Sequence, residues 1–140
     1  MRHVTTVTAE LELHLVVPGG PSLPVAARLG YDIADPWAVR VAFHTGGAGD
    51  GVVEWMFARQ LLTDGVAGLV GDGDIRVWPA VHGADRVINL AMASPSGAAL
   101  FELDRDALVR FLQQTYQAVP TGQEADVVDL DAELAVLLAA

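Results

Sequence analysis

Four histidines, His3, His14, His44 and His82, are the residues of this 140-residue chain best suited to metal or acid–base chemistry. No two stand at the short spacing of a zinc motif, and Glu12 with His14 on one strand face is the nearest approach. Hydrogen-bonded or solvated histidines are the better reading. Gly71-Asp72-Gly73-Asp74 resembles the start of a calcium loop, but the longer aspartate series and the closing glutamate are missing. It reads as a turn. The loop Gly46 to Gly51 is glycine-rich enough to cradle a phosphate, yet it leads into a strand and not into a helix N-terminus. Three serines occur, Ser22, Ser94 and Ser96, and none stands in Gly-x-Ser-x-Gly. Asp72 with Asp74, and Asp104 with Asp106, pair carboxylates where a turn or a helix start already favours aspartate. Cysteine is absent, which removes disulfides and thiolate chemistry. All eight basic residues are arginine, and without lysine there is no P-loop and no Schiff base. The expectation is a protein with no catalytic residue, no metal site and no cofactor.

The elements that would position these groups follow from periodicity. Val7, Ala9, Leu11, Leu13, Leu15 and Val17 share one face of a strand over Val4–Val17. Pro18-Gly19-Gly20-Pro21 breaks it. Leu23–Tyr31 is a second strand, with Pro24 near its start. Trp37–His44 is a third, with Trp37, Val39, Val41 and Phe43 on one face. The stretch Val52–Pro79 then carries a strand in which Val53, Trp55 and Phe57 alternate, and Trp55 is expected in the core. A short helix follows, with Leu61, Leu62 and Val66 on one face and Gly65 as its left-handed end. Gly71–Asp74 turns into a strand over Ile75–Trp78, and a loop at His82-Gly83 follows Pro79. Arg86–Ala93 and Ala98–Leu103 pair through Ser94-Pro95-Ser96-Gly97. Asp104 caps a helix whose inner face is Leu108, Phe111, Leu112, Thr115 and Val119. Asp129 caps a last helix with a stripe of Leu130, Leu134, Leu137 and Leu138. The order ββββαβββαα, with about three helices, predicts an antiparallel α+β fold in a single domain over residues 1–140. Leu13, Phe57, Leu108 and Leu112 should be buried.

Hydrophobic residues make up 52% of the chain and charged residues 19%, so it is globular, and a subunit interface would hide some of the apolar excess. The net charge of −10 opposes binding to a phosphate backbone or an anionic membrane. No apolar run is long enough to span a bilayer, and the N-terminus lacks the apolar core of a signal peptide, so a cytoplasmic location is expected. Trp37 and Trp78 stand beside prolines at strand ends, where aromatics serve as interface anchors.

Several segments carry a family resemblance. They are Leu29-Gly30-Tyr31-Asp32, Asp35-Pro36-Trp37-Ala38-Val39, Phe43-His44-Thr45, and Val53-Glu54-Trp55-Met56-Phe57-Ala58-Arg59 with Leu61-Leu62 and Gly65. Gly71-Asp72-Gly73-Asp74-Ile75-Arg76-Val77-Trp78-Pro79, Phe111-Leu112, Val119-Pro120 and Asp129-Leu130-Asp131 with Glu133-Leu134 complete the set. The chain resembles the SsgA-like sporulation and cell-division proteins of filamentous actinobacteria. Glu12-Leu13-His14-Leu15 and Ser22-Leu23-Pro24-Val25 bring it nearest to the SsgB branch. It departs from the pattern at Gly30, where arginine commonly stands, at Gln114-Thr115-Tyr116, and in the loop Gly46–Gly51.

The resemblance implies a Whirly-like, barrel-like arrangement, a homotrimer and no enzyme activity. It implies septum-site selection alongside an SsgA-type protein, with recruitment of the tubulin-like division protein FtsZ. Trp37, Arg76 and Trp78 are the candidate contacts, since Arg76 and Trp78 alternate onto one strand face. A single-stranded nucleic-acid-binding protein is the competing expectation, because Whirly-like folds elsewhere bind single strands, but the charge opposes it. A small-molecule enzyme or carrier on a barrel-like sheet is the third, and no motif supports it.

Overall fold

In the computed structural model, which describes residues 6–46, 51–125 and 137–138, the chain runs twice through four strands and a helix. Strands β1 (Thr6–Leu15), β2 (Leu23–Asp32), β3 (Ala38–Gly46) and β4 (Gly51–Ala58) lead into α1 (Arg59–Ala67). Strands β5 (Val70–Asp72), β6 (Ile75–His82), β7 (Asp85–Ser94) and β8 (Gly97–Asp104) lead into α2 (Arg105–Ala118). All eight form one sheet in the order β4-β3-β2-β1-β8-β7-β6-β5, with every pair antiparallel. The sheet is strongly curled. Phe43 on β3 and Phe101 on β8 stack with centroids 4.8 Å apart. Three strand spacings of a flat sheet would hold them about 14 Å apart.

The inner face of this curl is the core. Leu13 and Leu29 meet Val39, Val41, Phe57, Val77, Ile88 and Leu90 there, and α2 contributes Leu108, Phe111 and Leu112. The four residues expected in the core, Leu13, Phe57, Leu108 and Leu112, are all buried. Helix α2 begins as its sequence requires: the Asp104 carboxylate accepts the Ala107 N–H at 2.9 Å. It packs on β1, β7 and β8, while α1 packs mainly on β6.

Several expectations need correction. Strand β5 is additional, so the described order is ββββαββββα; its three residues are too few to show a period, and one is glycine. Asp72 pairs with Ile75, so the turn is Gly73-Asp74 alone. Strand β6 does not stop at Trp78 but runs through Pro79 to His82. Proline is tolerated because β5 pairs only with Ile75–Val77, leaving Pro79 without a paired strand on that side among the described residues. Trp37 lies outside β3, in a turn fixed by the Asp35 and Ala38 N–H groups bonding to the Asp32 and Asp35 carbonyls. Trp55 is only partly buried, packed against the core. The expected last helix, capped by Asp129 with the stripe Leu130, Leu134, Leu137 and Leu138, lies outside the described residues except for Leu137 and Leu138, which are helical and exposed.

Gly65 is not the end of α1. It is a buried residue inside the helix, which continues to Ala67 and is followed by Gly68 in extended backbone. Its function is close approach: a Cβ at this position would collide with the Val77 side chain on β6. Gly65→Ala should therefore lower the denaturant midpoint, by about 1–3 kcal/mol of overpacking. Alanine's helix preference offsets at most about 1 kcal/mol. Val77→Ala in the same chain should recover part of the loss. A Gly65→Ala protein as stable as the wild type would refute this packing account.

Candidate partner-binding face

Cross-strand register sets up the outer face of the second half-sheet. Trp78 pairs with Asn89, Asn89 with Glu102, and Glu102 with His14, so four side chains form one line across β6, β7, β8 and β1. Arg76 precedes Trp78 by two residues and lies on the same side, while Val77 between them is fully buried on the inner side. Arg76 is exposed and Trp78 half-buried. Both line a depression of about 620 Å³ whose walls include Val16, Pro18, Leu100 and Asp74. Arg76 has no ion-pair partner among the described residues. It is a cation free to meet an incoming acceptor beside an aromatic surface.

Further along this face, His82 Nδ1 and Glu102 Oε1 lie 2.9 Å apart. The hydrogen bond to Glu102 and then its charge push the His82 pKa above its ordinary 6.5, with Asp85 adding to the effect. Asn89 Oδ1 is buried without a hydrogen-bond partner among the described residues.

The three residues singled out from the sequence do not form one group. Trp37 is half-exposed in the β2–β3 turn, and its carbonyl accepts the Arg59 N–H at 2.7 Å. No contact or cavity joins it to Arg76 or Trp78 among the described residues.

The sequence reading gave Arg59 no role of its own, yet it is the most elaborately bonded side chain described. It is fully buried at the start of α1. Nη1 donates to the carbonyls of Thr115 and Val119 at 3.1 and 2.8 Å, and Nη2 to Glu124 Oε2 at 2.8 Å. The guanidinium lies 4.0 Å from the Tyr116 ring centroid and 5.0 Å from that of Tyr31. Thr63 Oγ1 donates to the Arg59 carbonyl at 3.0 Å, which leaves Tyr116 as donor in its 2.6 Å contact with Thr63. The Tyr31 hydroxyl donates to the Pro36 carbonyl at 2.9 Å, and burial pushes its pKa up to about 12 against the pull of Arg59. One signal was available. A cation in the first position of a helix opposes the helix dipole, and here the charge serves the C-terminal end of α2 instead, where the dipole favours it.

No three His, Asp or Glu side chains are placed to hold a metal among the described residues. Ser94 and Ser96 hydroxyls contact each other at 2.9 Å in the β7–β8 turn, with no histidine bonded to either among the described residues. No helix among the described residues is long and apolar enough to cross a membrane.

Comparison with known proteins adds what the geometry does not. A family model described as Streptomyces sporulation and cell division protein, SsgA, matches residues 25–124. The chain is 55% identical over 138 residues to the sporulation-specific cell division protein SsgB of Frankia casuarinae, covering 99% of this chain and 94% of that protein. It is 50% identical over 135 residues to SsgB of Streptomyces coelicolor, covering 96% and 97%. A crystal structure of an SsgA-like sporulation-specific cell division protein from Thermobifida fusca matches with a TM-score of 0.87 at 46% identity, covering 96% of this chain and 98% of that one. A structure from work in which mutations in SsgB correlate to longitudinal cell division during sporulation of Streptomyces coelicolor matches with a TM-score of 0.85 at 47% identity, covering 91% and 98%.

Proposed function

The chain belongs to the SsgA family of sporulation and cell-division proteins, and on that premise we propose that it is a non-enzymatic septum-site protein that recruits FtsZ. Near full-length likeness to SsgB proteins carries this reading. The curled sheet with its repeated halves supports a Whirly-like assignment, and the apolar composition supports a homotrimer that acts with an SsgA-type partner. The protein works in the cytoplasm, at division septa, through protein–protein contacts. Three copies facing a filament of repeated subunits raise the effective concentration of a weak contact. Arg76 with Trp78 is the pair best placed to make it: a cation without an ion-pair partner among the described residues, beside a half-exposed indole.

The test is co-sedimentation with polymerised FtsZ. Wild-type protein, three times the chain mass by light scattering, should pellet with the filaments. An Arg76→Ala, Trp78→Ala double variant of unchanged mass should bind at least about tenfold more weakly. Failure of the wild type to pellet removes direct recruitment. Full binding by the double variant removes only this face, and a monomeric wild type removes the trimer.

A further inference from the structure

The two edges of the sheet are treated differently. At one end the outermost strand, β5, is only three residues long, and the exposed remainder of β6 carries Pro79. Short strands and edge prolines are standard protections against unwanted pairing. At the other end lies β4, eight residues long, with no proline and no basic residue. The one register irregularity nearby falls between His44 and Gly46 on β3. Over residues 52–58, strand β4 pairs with β3 on one side and with no strand on the other among the described residues. Its outward residues Val52 and Met56 are each 54% exposed, although apolar. A long, largely apolar edge with no proline and Glu54 as its single charge is a template for another strand.

The faces of this edge specify what would be added. On the outer face Glu54 lies between Val52 and Met56, with no ion-pair or hydrogen-bond partner among the described residues. Register continues inward from Glu54 through Ala42 to Arg28 and Glu10, which are themselves ion-paired at 3.3 Å. On the inner face, Val53 and Trp55 line a cavity of about 440 Å³ with Phe43, Met92 and Phe101. That volume lies in the range of sites that accept a small ligand or large side chains.

We infer that β4 is a strand-addition site for an extended segment of a partner protein with an arginine or lysine flanked on both sides by large apolar residues. The segment's backbone completes the β4 ladder. Its basic side chain, pointing outward, meets Glu54. Its apolar neighbours, pointing inward by the two-residue period, enter the cavity beside Trp55. The charge of −10 favours a basic partner from a distance. This inference is separate from the Arg76–Trp78 face and does not require FtsZ to be the partner.

The probe is a fluorescein-labelled peptide, Ser-Thr-Phe-Arg-Phe-Thr-Ser, titrated with the full chain and read by fluorescence anisotropy. Saturable binding is expected. Changing the peptide's arginine to glutamate should weaken it by about tenfold or more, and Glu54→Arg in the protein should reverse that preference. Glu54 is exposed, so this variant tests charge without disturbing the core. Peptide N-methylated on the nitrogens facing β4 should lose binding, as should Val53→Asp. No saturable binding by the wild type overturns the proposal, and so does a peptide affinity indifferent to the charge exchange. A light-scattering mass that changes with Glu54→Arg also overturns it, because the edge then belongs to a second copy of this chain.

Discussion

Replacing Arg59 with alanine is expected to destabilise the fold by about 3–5 kcal/mol, the usual cost of removing one partner from a buried ion pair. The deletion takes a donor from the carbonyls of Thr115 and Val119 and the counter-charge from Glu124 at once, leaving, among the described residues, only the Val119 N–H on Thr115 and only backbone N–H groups on Glu124. It also removes the cation held near Tyr31 and Tyr116. Lysine keeps the charge but cannot reach three acceptors in two directions, so Arg59→Lys should recover only part of the loss. Urea unfolding measures both, with exposed Arg110→Ala as a control expected within about 0.5 kcal/mol of wild type. The same pairing sets an acid limit. Hydrogen bonds from backbone N–H groups, its own and that of Gly122, and the Arg59 guanidinium hold the Glu124 carboxyl below its ordinary 4.5. Its contribution is complete above that value. As pH falls, the unfolded chain takes up the proton first, and the contribution drains away until the folded carboxyl is protonated too. Between about pH 5 and pH 3 the wild type should lose more stability than Glu124→Gln. Equal pH slopes would show that the pair contributes nothing there.

Leu112→Ala is expected to cost about 2–5 kcal/mol. Leu112 is buried on α2 beside Phe111 and one turn from Leu108, on the face that packs against β1, β7 and β8. Truncation leaves a cavity between layers that cannot collapse, because the sheet side is fixed by its ladders. The denaturant midpoint should fall with an unchanged slope. Asp104→Ala, which removes only the cap hydrogen bond of the same helix, should cost about 1 kcal/mol. Arg59 and Leu112 both act through α2, so the double variant should lose less than the sum of the single ones. A loss at Leu112 no larger than at Asp104 would contradict its place in the core.

Where one chemical pattern decides a local structure, the sequence was sufficient. Alternation in β1 placed Leu13 inward, and the spacing in α2 gave a face whose five named residues are all buried. Asp104 and the Ser94–Gly97 turn were readable for the same reason. Misreadings arose where tertiary neighbours decide. Gly65 looks like a helix end until Val77 is known to lie against it. Pro79 looks like a strand end until the neighbouring strand proves too short to reach it, so that no N–H is needed at that position. Arg59 looks like a surface residue, because its partners at Thr115, Val119 and Glu124 lie more than 50 residues away in sequence. Of the candidate contacts, period two correctly set Arg76 and Trp78 on one face; Trp37 was misplaced because a turn occupies the first position of its expected strand.

The sheet order also says how the chain reaches this state. Within each half, every strand pairs with the one before or after it in sequence, so each ladder closes a short loop. The β1–β8 ladder differs. It has only the pairs His14–Glu102 and Leu15–Phe101, with a further bond from the Val16 N–H to the Leu100 carbonyl, and it joins segments more than 80 residues apart. Its closure entropy must be met before any of those few bonds form. Two meanders can therefore assemble early and independently, and their union across β1 and β8 becomes the slow event of folding. Helix α2, packed on β1, β7 and β8, spans that junction, so the last element of the second half is also the clasp that keeps the two halves from parting.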